Sequence, residues 1–93
     1  MTITTSANTV TIEGNIKSVS DFQSIKQNTD QIVSNNKHVN VNIVDSLSIT
    51  SSVIGYFNKL VLKDSIDMHM KVGNSQLIEL LDDLNLISTF NVK

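Results

Sequence analysis

The chain contains no cysteine, no proline and no tryptophan. Without cysteine there is no disulfide, no thiolate nucleophile and no thiolate metal site. Arginine is missing too: the 7 basic residues are all lysines, set against 9 acidic ones for a formal net charge of −2. Phosphate-reading surfaces cluster their basic residues, favour arginine for bidentate contacts and use aromatics for stacking. Here the lysines are scattered and aromatics make up 4% of the chain, so no nucleic-acid partner is expected. No apolar run approaches the roughly 18 residues of a membrane span. The opening stretch, MTITTSANTV, lacks the basic-then-apolar order of a secretory signal. The expectation is a cytoplasmic protein with no direct membrane insertion. The three glycines, Gly14, Gly55 and Gly73, stand apart, so neither GxGxxG nor a P-loop exists.

What is present is a globular balance. Of 93 residues, 40% are hydrophobic and 17% charged, which reads as one domain over residues 1–93. A chain of this size builds one core, without room for a deep buried active-site cavity.

Two β-branched runs, Thr2–Thr5 and Thr9–Glu13, flank Ser6-Ala7-Asn8 and read as a hairpin. From Ser18 a helix is predicted, with Val19, Phe22, Ile25, Thr29, Ile32 and Val33 on one face, ending at Asn35-Asn36. Ser18 or Ser20 can cap it, and Asp21 suits its first turn. The strand His38–Val44 sends Val39, Val41 and Ile43 one way and His38, Asn40 and Asn42 the other. Asp67–Val72 alternates in the same way. Strands covered on both faces would be apolar on both. These predict helices on one face of the sheet and a polar face left open. Between them Ser48–Lys63 reads as a second helix, with Val53, Ile54, Phe57, Leu60 and Val61 on its apolar face. A third helix is predicted over Ser75–Asn85 with Leu77, Ile78, Leu81 and Leu84 inward, followed by a last short strand at Thr89–Val92. The predicted fold class is α/β, a mixed, mostly parallel sheet of about five strands with helices mainly on one face.

Catalytic chemistry is hard to place on this pattern. His38 and His69 read as exposed strand histidines, with no metal-ligand spacing between them. Asp82-Asp83 are neighbours in a helix and point about 100° apart, so they form no shared carboxylate site. A hydrolase needs a positioned histidine beside its serine and an oxyanion hole, and neither is in view. The chain is expected to be no enzyme, with no catalytic residue, no metal site and no cofactor.

One segment is different. Asp45-Ser46-Leu47-Ser48-Ile49-Thr50-Ser51-Ser52-Val53-Ile54-Gly55 leaves the best strand and opens a helix. That rim is where ligands and partners usually meet an open α/β sheet. Thr50 or Ser51 is a candidate cap. A phosphorylated hydroxyl there would sit at the positive end of the helix. Gly55 inside a helix costs roughly 1 kcal/mol relative to alanine. The expected reason is close approach of the helix to the sheet; the alternative is a bare backbone patch that admits a partner.

The element order, and the stretch Thr50-Ser51-Ser52-Val53-Ile54-Gly55, resemble the STAS domain family of anti-sigma-factor antagonists, whose turn reads roughly Asp-Ser-Ser-Gly-Leu-Gly. Met68–Ser75 looks like that family's strand and following turn. Leu77–Phe90, with Leu81, Leu86 and Phe90, looks like its third helix and the lead into the last strand. The resemblance is best over Val39–Val92. It implies a STAS-like fold and a protein-binding switch in a partner-switching pathway, whose partner is a serine-kinase anti-sigma factor or similar regulator. By position, the implied phosphoacceptor is Ser52, with Ser51 second. The implied contact surface is Ser48, Thr50, Ser51, Ser52, Val53, Asn58 and Lys59. The chain departs from the family pattern with Thr50 in place of the aspartate and Val53 in place of the first glycine. These departures favour the alternative reading, a non-phosphorylated accessory subunit of a membrane transporter complex.

Overall fold

A computed structural model describes residues 1–93. The hairpin forms as β1 (Thr2–Ser6) and β2 (Thr9–Glu13), paired antiparallel from Thr2↔Glu13 to Ser6↔Thr9. The chain then runs through α1 (Val19–Val33), β3 (His38–Ile43), α2 (Ser51–Asn58), β4 (Asp67–Val72) and α3 (Ser75–Asp83). The sheet order is β1-β2-β3-β4, with β2, β3 and β4 parallel. This is a small α/β domain with a four-stranded mixed sheet and three helices.

Local chemistry sets the helix ends. The Ser18 hydroxyl accepts from the Asp21 N–H (3.1 Å), and Asp21 Oδ2 accepts from the Ser18 and Lys17 N–H groups, a reciprocal capping box. The N–H of Lys17 is the largest influence holding the Asp21 carboxyl below its usual range. Asn74 Oδ1 caps α3 by accepting from Gln76 and Leu77. Beyond α3, Asn85 takes a left-handed conformation (φ 59°). Its N–H donates to Asp82 and that of Leu86 to Leu81, the hydrogen-bond pattern of a Schellman stop.

The alternation in β3 and β4 has the predicted consequence. Val39, Val41, Ile43, Met68 and Met70 are buried beneath the helices, whereas Asn40, His69 and Lys71 face outward and Asn42 is half-buried. Burying apolar side chains on one face only is what period-2 patterning produces. All four aromatics of the chain meet edge to edge or tilted: Phe22 with Tyr56 (6.3 Å between centroids), Tyr56 with Phe57 (5.7 Å), and Phe57 with Phe90 (6.1 Å).

Four expectations need correction. The last strand does not form. Residues 87–91 turn instead, Asn91 is left-handed (φ 50°), and only Val92 bridges to Met70, so the sheet has four strands and not five. The Phe90 and Val92 N–H groups are drawn back to Leu86 and Ile87, which leaves little backbone for a ladder. The second helix begins at Ser51, not Ser48, and gives way to a π-helical turn at Lys59–Lys63. Val19 and Leu84, placed inward by spacing, are 72% and 47% exposed, because each sits at a helix end beyond the sheet's cover. Gly55 has open space where a side chain would begin, so no close approach explains it.

Candidate functional site

The C-terminal ends of β2 and β3 are parallel neighbours, and the loops leaving them are stitched together. The Gly14 N–H donates to Asp45 Oδ1 (2.7 Å), the Ser46 hydroxyl donates to the Gly14 carbonyl, and the Leu47 N–H donates to Asn15 Oδ1 (3.0 Å). Ser46 is wholly buried in this lock. Gly14 is itself left-handed (φ 86°), the conformation glycine accepts without penalty. The lock holds the segment that leads into α2.

Of the two candidate caps, Thr50 is the one used: its hydroxyl accepts from the Val53 N–H (3.3 Å). Ser51 and Ser52 occupy the first turn of α2 with their side chains exposed. No acidic residue lies in that turn, so the helix dipole there is uncompensated. Ser48 and Lys59 are exposed and Asn58 is half-exposed. The Lys59 ammonium pairs with Asp64 (3.2 Å). Val53 is fully buried, which corrects its placement on the contact surface: its β-branched side chain belongs to the core. The outward stripe is therefore Ser51, Ser52 and Gly55 of α2, continued by Lys59 at its C-cap.

The fold adds residues that no local pattern announced. Lys17, Ser18, Val19 and Phe22 from the start of α1 join Thr50 and Ser52 around one shallow groove of about 300 Å³. Leu47, on the loop locked to Asn15, is half-exposed. No lysine lies within six residues of Ser52 along the chain, yet Lys17 lines the same groove from the segment that leads into α1.

Behind the groove, α1 and α2 are tied by a polar contact. The Tyr56 hydroxyl donates to Asp30 Oδ1, and the Lys26 ammonium pairs with Asp30 Oδ2 (2.9 Å). Burial raises the Asp30 carboxyl, but the Tyr56 hydroxyl and the Lys26 charge outweigh it and hold the group below its usual range. Burial, and then the Asp30 carboxylate, push the Tyr56 phenol well above its ordinary value.

The opposite face of the sheet carries the larger recess, about 570 Å³, which Ser52 does not line. At its margin Asp67 bridges two histidines, with Oδ2 2.7 Å from His38 Nδ1 and Oδ1 3.2 Å from His69 Nε2. No group of three or more His, Asp or Glu side chains is arranged to hold a metal ion. Asp82 and Asp83 are exposed at the end of α3.

No family model, curated protein or solved structure matches the chain. No helix is long and apolar enough to cross a membrane.

Proposed function

We propose that this chain is a STAS-type protein-binding domain that works by partner switching, with Ser52 as the phosphoacceptor. The observation that carries the reading is the setting of Ser52. Its hydroxyl is exposed on the first turn of α2 and borders a groove walled by Val19 and Phe22. A kinase can reach such a hydroxyl, and a partner can bury such an apolar wall. In the free protein the helix N-terminus and Lys17 tolerate an added phosphate of about −1.5 to −2 charges. Beneath a docked partner the same charge is desolvated and penalised. A penalty of about 1.4 kcal/mol lowers affinity tenfold, enough to release the partner.

A second reading is the non-phosphorylated accessory subunit of a membrane transporter complex. It is favoured by the structural work of the two departing residues: Thr50 is spent as a helix cap and Val53 is buried in the core. Both readings place the partner on the outer stripe of α2.

The experiment is calorimetric titration of the co-purified partner against wild type, Ser52→Asp and Ser52→Ala, with mass spectrometry after incubation with that partner and ATP. Phosphoswitching gives a single phosphate on Ser52, at least tenfold weaker binding by Ser52→Asp, and melting temperatures nearly unchanged. An unmodified Ser52 together with wild-type binding by Ser52→Asp overturns the switch and leaves the accessory-subunit reading.

A further inference from the structure

We propose that β1 is the docking edge for a second copy of this chain: two β1 strands pair antiparallel about a two-fold axis at Thr4 and join two sheets into one. The proposal goes beyond the Ser52 reading and does not rest on it. Ser52 lies on α2, which connects β3 and β4, the two strands farthest from β1.

The two edges of the sheet are unlike. On β4 the outer backbone is already engaged. The Met70 N–H donates to the Phe90 carbonyl (3.1 Å), the Lys93 N–H to the Met70 carbonyl (3.0 Å), and the Asn91 side-chain amide to the Met68 carbonyl (2.8 Å). A short segment that forms no strand thus covers that edge. β1 has no such cover, and β2 is its one neighbour in the sheet.

The register identifies the groups left over. The Asn8 carbonyl accepts from the Asn40 N–H (2.8 Å) and the Ile12 carbonyl from the Val44 N–H (2.9 Å), so the even-numbered residues of β2 turn their peptide groups toward β3. Thr9, Thr11 and Glu13 turn theirs toward β1, where they meet Ser6, Thr4 and Thr2. By the same alternation the N–H and C=O groups of Ile3 and Thr5 point away from the sheet. Natural edge strands are blunted by lysine, proline or a bulge. β1 reads Thr-Ile-Thr-Thr-Ser, without charge or proline, and its register with β2 runs unbroken from Thr2 to Ser6.

Self-complementarity names the occupant. With the axis at Thr4, each Ile3 opposes Thr5 of the second copy and exchanges both backbone hydrogen bonds with it, which satisfies every outward group of the two residues. Thr4 opposes Thr4 and Thr2 opposes Ser6, pairs of small hydroxyl side chains that suit cross-strand contact. The charges agree. Glu13 is the one charged side chain of β1 and β2, and it lies beside Thr2. In the joined sheet each Glu13 shares a row with Thr2 of its own copy and with Ser6 and Thr9 of the other, so the two carboxylates stand at opposite ends of the paired strands. A charged foreign peptide finds no opposite charge on β1 to select it. The same patch is used twice, as in other two-fold dimers, and its small size makes the association concentration-dependent.

The test is sedimentation equilibrium of the full chain over a hundredfold range of concentration reaching the millimolar range, with Thr4→Lys and Thr4→Glu run singly and as an equimolar mixture. Wild type is expected to pass from monomer to dimer. Each variant alone sets like charges against each other at the axis and should dimerise at least tenfold more weakly, whereas the mixture should dimerise at least as well as wild type. Thr4 is exposed, and an unaltered amide spectrum at low concentration checks that each variant keeps the fold. Hydrogen exchange locates the contact: the Ile3 and Thr5 amides should gain protection as wild-type concentration rises. A wild type monomeric throughout, a Thr4→Lys that dimerises like wild type, or a mixture no better than its components each overturns the proposal. Protection of Ile3 and Thr5 only when the co-purified partner is added assigns the edge to that partner and overturns it as well.

Discussion

The Tyr56 hydroxyl donates to the Asp30 carboxylate, tying the face of α2 to α1 across a separation of 26 residues. Tyr56 is otherwise buried, so its phenol has exchanged water for this one charged partner and the Lys26 carbonyl (3.3 Å). Tyr56→Phe removes the hydroxyl and is expected to cost about 1.5–2 kcal/mol, the lower part of the range for hydrogen bonds to charged groups, because Asp30 is partly solvated. The pH dependence has a definite sign. The phenol's folded pKa lies above its ordinary 10.0, so unfolded chains release the proton first as pH rises. The contribution is complete below pH 10.0 and falls above it, by up to about 1.4 kcal/mol per pH unit. Urea midpoints between pH 9 and 11 should drop more steeply for wild type than for Tyr56→Phe. Parallel slopes would mean the phenol is not held in this way. At the acid end the Asp30 carboxyl, held low, contributes above its unfolded value near 3.8 and is lost as pH falls below it.

Thr29 is the one buried side chain with an unpartnered polar atom, its Oγ1. It lies on the buried face of α1 among apolar neighbours. A hydroxyl desolvated without a partner costs about 1–3 kcal/mol. Valine has nearly the same shape and a similar helix propensity. Thr29→Val is therefore expected to stabilise the domain by about 1 kcal/mol, read as a higher urea midpoint at unchanged slope. A loss of stability would show that the hydroxyl has a partner after all.

The parts of the fold legible in the sequence are those written in local periods. Alternation in His38–Ile43 and Asp67–Val72 marked both strands and both faces, and Ser18 and Thr50 were each one of two candidate caps, of which the structure uses these. Helix ends were less legible, since spacing alone cannot say that Val19 and Leu84 overhang the sheet. The missing fifth strand follows from competition: Thr89–Val92 has strand-like residues, but the turn begun at Leu86 takes its hydrogen bonds. In the candidate site, Ser51 and Ser52 stood out because they follow a strand and open a helix. Lys17, Val19 and Phe22 did not, because their proximity to Ser52 is tertiary. The lock between Gly14-Asn15 and Asp45-Ser46-Leu47 joins residues 31 or 32 apart and leaves no trace in any window.

Gly73 closes β4 against the loop after β3. Its N–H donates to the Ile43 carbonyl (2.9 Å), and a Cβ there would lie under 3.0 Å from the Val44 carbonyl oxygen. The obstacle is backbone and cannot rotate away. Gly73→Ala is expected to cost on the order of 2–3 kcal/mol through displaced strands. Chemical denaturation reads this directly, and a neutral substitution would show that β3 and β4 separate more easily at this end than their hydrogen bonding implies.

Gly55 presents the opposite case, and separates folding from binding. A Cβ there meets nothing within 4 Å, and the residue is exposed in the middle of α2. Nothing in the free domain requires a glycine, which costs a helix about 0.5–1 kcal/mol relative to alanine. Gly55→Ala should therefore stabilise the isolated chain by about that amount. If the partner docks on the stripe formed by Ser51, Ser52, Gly55 and Lys59, the added methyl stands in its way while the helix remains intact. The expected pair of results is a raised melting temperature and weakened binding of the co-purified partner, by about tenfold for a clash worth 1.4 kcal/mol. Thermal melts and calorimetry on the same preparation give both numbers. A variant that is more stable and binds as wild type would move the partner off the outer face of α2.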